Sequence, residues 1–277
     1  MKVFEWENPH DIQYKALKPG SATIGVFDGL HLGHASLVSR VVSRAPGYLP
    51  IVFTFKNNPK KAVRHNYTHD ALFTMRQKLE ILESMGVGLC VLIDFSRNFS
   101  KLSGKDFVSI LVNAFGVRAF VVGKDFKFAY KHSSDSNALR QMAQELGAET
   151  EVMDALSLNG AVVSSSRIRK AIVEGRTDLA FAMLGRPYSI DLQEAKPDYI
   201  DGRLYVDLGA MSMVIPAAGQ YEGILDLRSK KTRVVIEMEN NGLLSCLCKA
   251  DMQKASPNAI SFGKNISLGK SHGDNTK

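Results

Sequence analysis

Cysteine is scarce in this chain, with three residues among 277, Cys90, Cys246 and Cys248. Three thiols do not make a disulfide framework, so a reducing, cytoplasmic setting is the expectation. Cys246 and Cys248 alternate along a strand-like segment and read as buried apolar thiols rather than metal ligands. Apolar runs are short. None approaches the roughly 20 residues needed to span a bilayer, and Met1 to Glu7 contains no signal-peptide core, so a soluble protein without a membrane partner is expected. No lysine/arginine run or aromatic-interleaved basic stretch occurs, which argues against nucleic acid. The pattern G-x-x-x-x-G-K-[S/T] is missing too. Gly263-Lys264 is followed by Asn265, which excludes a P-loop kinase. There is no internal repeat or low-complexity tract, and nothing points to a protein partner.

What is present is ordinary in composition and specific in pattern. Hydrophobic residues make up 45% and charged residues 23%, the balance of a globular protein. The length allows a sizeable core and suggests two domains. A formal net charge of +7 favours anionic partners, and on charge alone nucleotides, nucleic acid and an acidic membrane all qualify. The stretch Ala22 to His34 predicts a buried strand (Ala22 to Phe27), a turn at Asp28-Gly29, and a helix opening near His31. Gly25, Gly29 and Gly33 lack Cβ atoms and allow phosphates to come close to the backbone. A helix start adds free N–H donors and a positive dipole end. His31 and His34, three residues apart, project from the same side of that helix.

Further along, Leu37, Val38, Val41 and Val42 give the first helix one apolar face. Leu49 to Phe55 is a second strand, with Pro59 in the loop beyond it. Phe55, Asn57 and Asn58 sit at the carboxyl end of that strand, where open α/β sheets bind ligands. Helices are expected over Asp70 to Met85, from a Ser103 cap to Gly116, and over Ser134 to Leu146. Strands are expected at Leu89 to Ile93, Val117 to Val122 and Glu149 to Met153. The pair His65 and His69 reads as part of a polar loop, and no metal site is expected there. Ser164, Ser165 and Ser166 open a helix that also carries Arg167 and Arg169. Serines are ordinary helix caps, yet serines with arginines also form a good phosphate clamp. Asp178 to Leu184 is a last short helix. Strands alternating with helices to residue 185 predict a doubly wound parallel sheet. Past Pro187 the segments near Tyr188, Leu204, Tyr221, Thr232 and Leu243 are strand-like, with Asn241-Gly242 as a hairpin signal.

Four segments together resemble the prokaryotic riboflavin-biosynthesis family of bifunctional riboflavin kinase/FMN adenylyltransferases, or FAD synthetases. They are the G-x-F-D-G-x-H-x-G-H run at Gly25 to His34, and Thr54-Phe55 with Pro59. Val122 to Phe128 matches V-G-x-D-F-x-F. Ser164 to Arg169 matches S-S-T-x-I-R, with Ser166 in the threonine place. Leu184 to Tyr188 matches the L-G-R-P-Y that joins the family's two halves.

The resemblance implies an α/β, Rossmann-like nucleotidyltransferase domain over 1–186 and a small antiparallel β-barrel over 187–266; the tail from 267 to 277, with Gly269, Lys270 and Gly273-Asp274-Asn275, is expected from its own residues to be disordered. It implies His31 and His34 as the catalytic residues. Gly25, Phe27, Asp28, Gly29, Gly33, Gly123, Asp125, Phe126, Ser165, Ser166 and Arg169 would face the nucleotide. Phe55, Asn58, Asp125 and Phe128 would lie near the flavin. No protein metal ligand is implied, and Mg²⁺ would arrive with ATP. The expected reaction is transfer of AMP from ATP to FMN, giving FAD and pyrophosphate.

Two departures stand out. After Phe128 the family's glycines are replaced by Ala129 to Asp135, which leaves the flavin pocket open. After Tyr188 the kinase signature G-F-P-T-A-N, which holds magnesium and ATP in the second half, is missing. Pro216 to Tyr221 resembles the strand that follows it, and Glu237 and Glu239 have no metal-binding element to act with. A barrel without kinase activity is therefore expected. A divergent but active kinase, a non-catalytic flavin- or nucleotide-binding protein, and transfer to another phosphorylated substrate remain open readings at this point.

Overall fold

A computed structural model describes residues 1–9, 12, 14, 16–56, 71–94, 102–128, 134–209, 211–227, 230–248 and 256–267. The chain forms two compact units. One comprises Met1–Thr68 and Lys78–Val162, the other His69–Gln77 and Val163–Lys277. The division falls inside a helix and again just before Ser164, whereas the motif pattern divides the sequence after Arg186.

The first unit contains β1 (Lys2–Trp6), β2 (Gly20–Ile24), α1 (Leu32–Val42), β3 (Leu49–Phe55), most of α2 (Met75–Ser84), β4 (Leu89–Ile93), α3 (Gly104–Asn113) and β5 (Val117–Gly123). A two-residue ribbon of β6 (Lys127–Phe128) and β7 (Ser134–Asp135) leads into α4 (Ser136–Glu145) and β8 (Glu149–Met153), and a second ribbon of β9 (Ser157–Leu158) and β10 (Ala161–Val162) closes the unit. Six strands make one parallel sheet in the order β1-β4-β3-β2-β5-β8. The doubly wound parallel sheet expected from the alternation is present. The edge strand β1 was not expected. Its sequence, Lys-Val-Phe-Glu-Trp, is short and mixed, and only its pairing with β4 defines it.

Both faces of the sheet are covered, as a parallel sheet requires. On one face Ala22, Ile24, Phe53, Val91, Phe120 and Val122 pack against Phe107, Leu111 and Val112 of α3 and Leu139 of α4. Phe115 is fully buried there, its ring edge-on to Phe53 at 5.1 Å and tilted against Trp6 at 5.2 Å. The other face receives α1 through Val38 and Val41, both fully buried. Local signals act as the sequence suggests. Ser103 Oγ accepts from the Asp106 N–H at 3.1 Å, and Asp135 caps α4 through the N–H groups of Asn137 and Ala138.

The second unit holds α5 (Ser165–Val173), α6 (Thr177–Leu184) and seven strands, β11 (Tyr188–Asp191), β12 (Asp198–Ile200), β13 (Arg203–Asp207), β14 (Gly219–Asp226), β15 (Lys231–Met238), β16 (Leu243–Leu247) and β17 (Ala259–Asn265). They form an antiparallel sheet in the order β11-β17-β14-β15-β16-β13-β12, curled into a half-barrel. Asn241-Gly242 is the turn between β15 and β16, with Gly242 at φ 83°, the left-handed conformation that glycine adopts freely. β12 and β17 were missed by the sequence pattern. β17 lies between β11 and β14, and Gly263 and Lys264 obscure its alternation of buried Ile260 and Phe262. The segment before Lys78 belongs to this unit because Asp191 accepts from Thr74 Oγ1 at 2.8 Å and pairs with Arg76 at 2.7 Å. Of the expected tail, Ser267 is in place, its Oγ accepting from the Gln220 N–H at 2.8 Å; the rest lies outside the described residues.

Phe115 sits where several aromatic rings meet, so truncation leaves a cavity that its neighbours cannot fill. Phe115→Ala should destabilise the first unit by about 3–5 kcal/mol. A matching drop in the urea midpoint of the transition that reports on Trp6 fluorescence would show it.

Candidate active site

In an open α/β sheet, ligands bind beyond the carboxyl ends of the strands, at the point where the strand order reverses. With β1 set aside, the order β4-β3-β2-β5-β8 places that point between β2 and β5. The strands part there. Their paired register ends at Ala22 opposite Phe120, while β2 continues beside β3 to the Ile24–Phe53 pair and β5 continues beside β8 to the Gly123–Met153 pair. The loops that leave these two ends are Gly25 to His31 and Gly123 to Phe126, two of the four sequence segments singled out above.

The first loop is held in an unusual shape. Phe27 has φ 50°, Gly29 φ 79° and Leu30 φ 38°, so three of four consecutive residues are left-handed. For residues with side chains this conformation is costly and needs support from the surroundings. The Phe27 ring supplies part of it, being 1% exposed and lying where a Cβ on Gly25 would fall, 3.0 Å from its Cζ. A Cβ on Gly33 would likewise sit 3.3 Å from the His31 ring. In this structure the missing side chains at Gly25 and Gly33 make room for Phe27 and His31. Asp28 and Leu30 are buried in the same turn.

His31 ends the loop as the N-cap of α1, an uncommon cap residue. Its Nδ1 accepts from the His34 N–H at 3.3 Å, which in the neutral ring puts the proton on Nε2. The two imidazoles stack with centroids 3.7 Å apart and planes 18° from parallel. Phe27 meets the His34 ring edge-on at 5.2 Å. His34 Nδ1 is buried and has no hydrogen-bond partner among the described residues. Burial first, then unfavourable electrostatic interaction with His31 and with Lys78, holds His34 well below the usual histidine value of 6.5. It is a neutral imidazole at pH 7.

Beneath the turn lies a group the sequence reading missed. Lys78 on α2 is 7% exposed and donates from Nζ to the Val26 carbonyl at 2.8 Å and to Thr54 Oγ1 at 3.4 Å. Thr54 itself donates to the same carbonyl at 3.1 Å. Burial draws the Lys78 ammonium below the ordinary lysine value, while Asp28 and Cys90 oppose that shift. A signal was available. Lys78 stands four residues before the fully buried Leu82, on the inward stripe of its helix, where a charged residue is rare.

The second loop is a tight turn in which the Phe126 N–H donates to the Gly123 carbonyl at 3.0 Å. Asp125 is exposed, and its Oδ1 lies 3.0 Å from where a Gly123 Cβ would be. Phe126 is partly exposed and stacks on Phe128 at 5.4 Å; Phe128 is 7% exposed, with Phe107 on another side at 6.0 Å. Phe55 closes β3, partly buried against the same core. Asn57, Asn58, Pro59, His65 and His69 lie outside the described residues. Ser165, Ser166 and Arg169 occur in the other unit, in the first turns of α5. Ser164 is its cap and accepts from the Arg167 N–H at 3.3 Å, which leaves Ser165 and Ser166 as the first helical residues. Among the described residues no cluster of three His, Cys, Asp or Glu side chains is arranged to hold a metal, and no helix is long and apolar enough to cross a membrane.

Known proteins match this arrangement. The family model for FAD synthetase matches residues 14–167. The bifunctional riboflavin kinase/FMN adenylyltransferase of Buchnera aphidicola subsp. Schizaphis graminum is 29% identical over 181 residues, 64% of this chain and 58% of that protein. Its namesake in Buchnera aphidicola subsp. Acyrthosiphon pisum is 32% identical over 171 residues, 61% of this chain and 55% of that protein. The Escherichia coli K12 protein of the same name is 30% identical over 171 residues, again 61% and 55%. The chain thus spans little more than half the length of the curated relatives it matches. A crystal structure titled macrolide-efflux protein from Streptococcus pneumoniae shares the fold, with a TM-score of 0.81 over 96% of this chain and 91% of the other, at 20% identity.

Protonating His34 costs the folded state more than the unfolded chain. Between the depressed folded value and 6.5 the unfolded chain therefore binds a proton that the folded chain does not, so stability rises with pH across that window and is lost below it. Urea midpoints measured at steps from about pH 7 down to pH 5 should fall in the wild type, and fall less steeply in His34→Asn.

Proposed function

The chain belongs to the FAD synthetase family, and from that premise we propose that it transfers AMP from ATP to FMN, yielding FAD and pyrophosphate. The observation that carries this reading is the stacked His31–His34 pair, which caps α1 at the place where β2 and β5 part. An oxygen of the FMN phosphate attacks the α-phosphorus of ATP in line. The bond from that phosphorus to the bridging oxygen breaks, and pyrophosphate leaves with the electron pair. Such a reaction needs positioning and charge stabilisation more than a covalent nucleophile.

In this reading His31 and His34 donate hydrogen bonds to phosphate oxygens, and they count most as charge builds on the leaving group. A neutral His34 has one ring N–H to donate. The backbone of Gly25 to Gly33, with Phe27 and Asp28, cradles the nucleotide together with the Gly123, Asp125 and Phe126 turn. Ser165, Ser166 and Arg169 offer hydroxyls and a guanidinium fork to phosphate oxygens. Phe55, Asn58, Asp125 and Phe128 are assigned to the flavin side, and Phe126, the more accessible of the stacked rings, supports a flat aromatic ligand nearby. Mg²⁺ enters as part of the MgATP substrate. Such an ion is held largely by phosphate oxygens and water. Free, buried Cys90, Cys246 and Cys248 support a cytoplasmic setting for the activity.

The second unit retains an antiparallel half-barrel but not the sequence signature that would bind magnesium and ATP for a kinase. We take it to be without riboflavin kinase activity. FMN with MgATP should give FAD, and riboflavin with MgATP should give no FMN, both followed by chromatography. His34→Ala should lower the rate of FAD formation by about 10²–10³-fold. FMN arising from riboflavin would overturn the loss of the kinase; a His34→Ala rate within a few-fold of wild type would overturn the mechanism.

A further inference from the structure

The chemistry above leaves one buried cation at the site unused. Lys78 Nζ makes hydrogen bonds to the Val26 carbonyl and to Thr54 Oγ1, both neutral acceptors. Among the described residues its hydrogen-bond acceptors are these two neutral groups, while the Asp28 charge favours the ammonium electrostatically. A buried ammonium without a paired carboxylate is expensive to desolvate, and an apolar side chain of similar length would fill the same space at lower cost. A fold that keeps the charge there has a use for it when an anion arrives.

We propose that Lys78 is a positioning residue of the nucleotide site: its ammonium fixes the Val26 carbonyl at the root of the left-handed turn and sets a positive charge behind the polyphosphate of the bound nucleotide. The inference rests on the reading that MgATP binds at this turn. Two independent features support it. Lys78 and Thr54 both converge on the last carbonyl before Phe27, so they anchor the chain where its strained course begins. Lys78 is also close enough to His34 to help keep that ring uncharged. The division of labour follows. His34 supplies a neutral hydrogen-bond donor, and Lys78, out of reach of bulk water, supplies charge that solvent screens little. The titratable groups facing the ammonium are Asp28 from the turn, Cys90 from β4, and His34 with His31 beside it from α1.

Two variants separate the two roles. Lys78→Met removes both the charge and the donor, and Lys78→Gln removes the charge while keeping an N–H for the Val26 carbonyl. Circular dichroism checks folding, and Lys78→Gln carries the test if the methionine variant does not fold. Two readings are taken on the full chain: the titration of the His34 ring by NMR without nucleotide, and the MgATP dissociation constant by calorimetry. His34 should titrate at higher pH in both variants, and MgATP should bind about tenfold or more weakly, with the methionine variant the weaker of the two. A folded variant that binds MgATP within twofold of wild type, or a His34 titration that does not move, overturns the proposal. The FMN reading fails separately: wild-type protein that binds MgATP but makes no FAD removes that activity and leaves the role of Lys78 measurable.

Discussion

The carbonyl oxygen of Val26 receives two donors, Lys78 Nζ at 2.8 Å and Thr54 Oγ1 at 3.1 Å, and the geometry of the site depends on them. That carbonyl is the last fixed point of the strand end before the backbone turns left-handed at Phe27. Everything beyond it follows in sequence: the Phe27 ring folds back under Gly25, the chain reverses through Gly29 and Leu30, and His31 arrives in position to cap α1. The strain of the turn is offset by burial, since Phe27 and Leu30 are at most 1% exposed. Side chains that need a precise placement are thus set by the backbone beneath them, and the backbone is set by one acceptor.

Much of this was legible in the sequence because it depends on local rules. The parallel sheet follows from strands alternating with helices, and the capping serine of α3 acts through a neighbour three residues away. What stayed hidden depends on partners far along the chain. β1 exists through β4, more than 80 residues later, and β17 through β14 and β11. Lys78 was hidden for a related reason. A lysine in a helix is ordinary, and only the fold shows that its ammonium reaches a carbonyl 52 residues upstream. The glycines illustrate a subtler gap. Sequence reasoning gave Gly25 and Gly33 to the ligand, while the structure shows the freed space taken by Phe27 and His31, a packing role that composition cannot reveal.

The two units carry different kinds of information. In the first, the functional motif and the strand order point to the same crevice, so fold and site reinforce each other. In the second, the strand order defines an antiparallel half-barrel, and no comparable motif in its strands marks a crevice. Its core is built from its own buried rings, such as Tyr221 edge-on to Phe262 at 5.5 Å.

One feature of the first sheet has little to do with hydrogen bonds at the site. Arg40 and Arg44, in the last turn of α1 and just beyond it, pair with Glu149 and Glu151 of β8, Arg40 through a contact at 2.9 Å. The helix between these ion pairs and the stacked histidines is about 16 Å long. It therefore works as a strut, footed in charge at one end and carrying imidazoles at the other. Arg40 and Glu149 are exposed, so dissolved ions compete with part of this footing. Ionic strength therefore acts at this end of the helix, where it weakens exposed ion pairs, as well as on any anionic ligand at the other end.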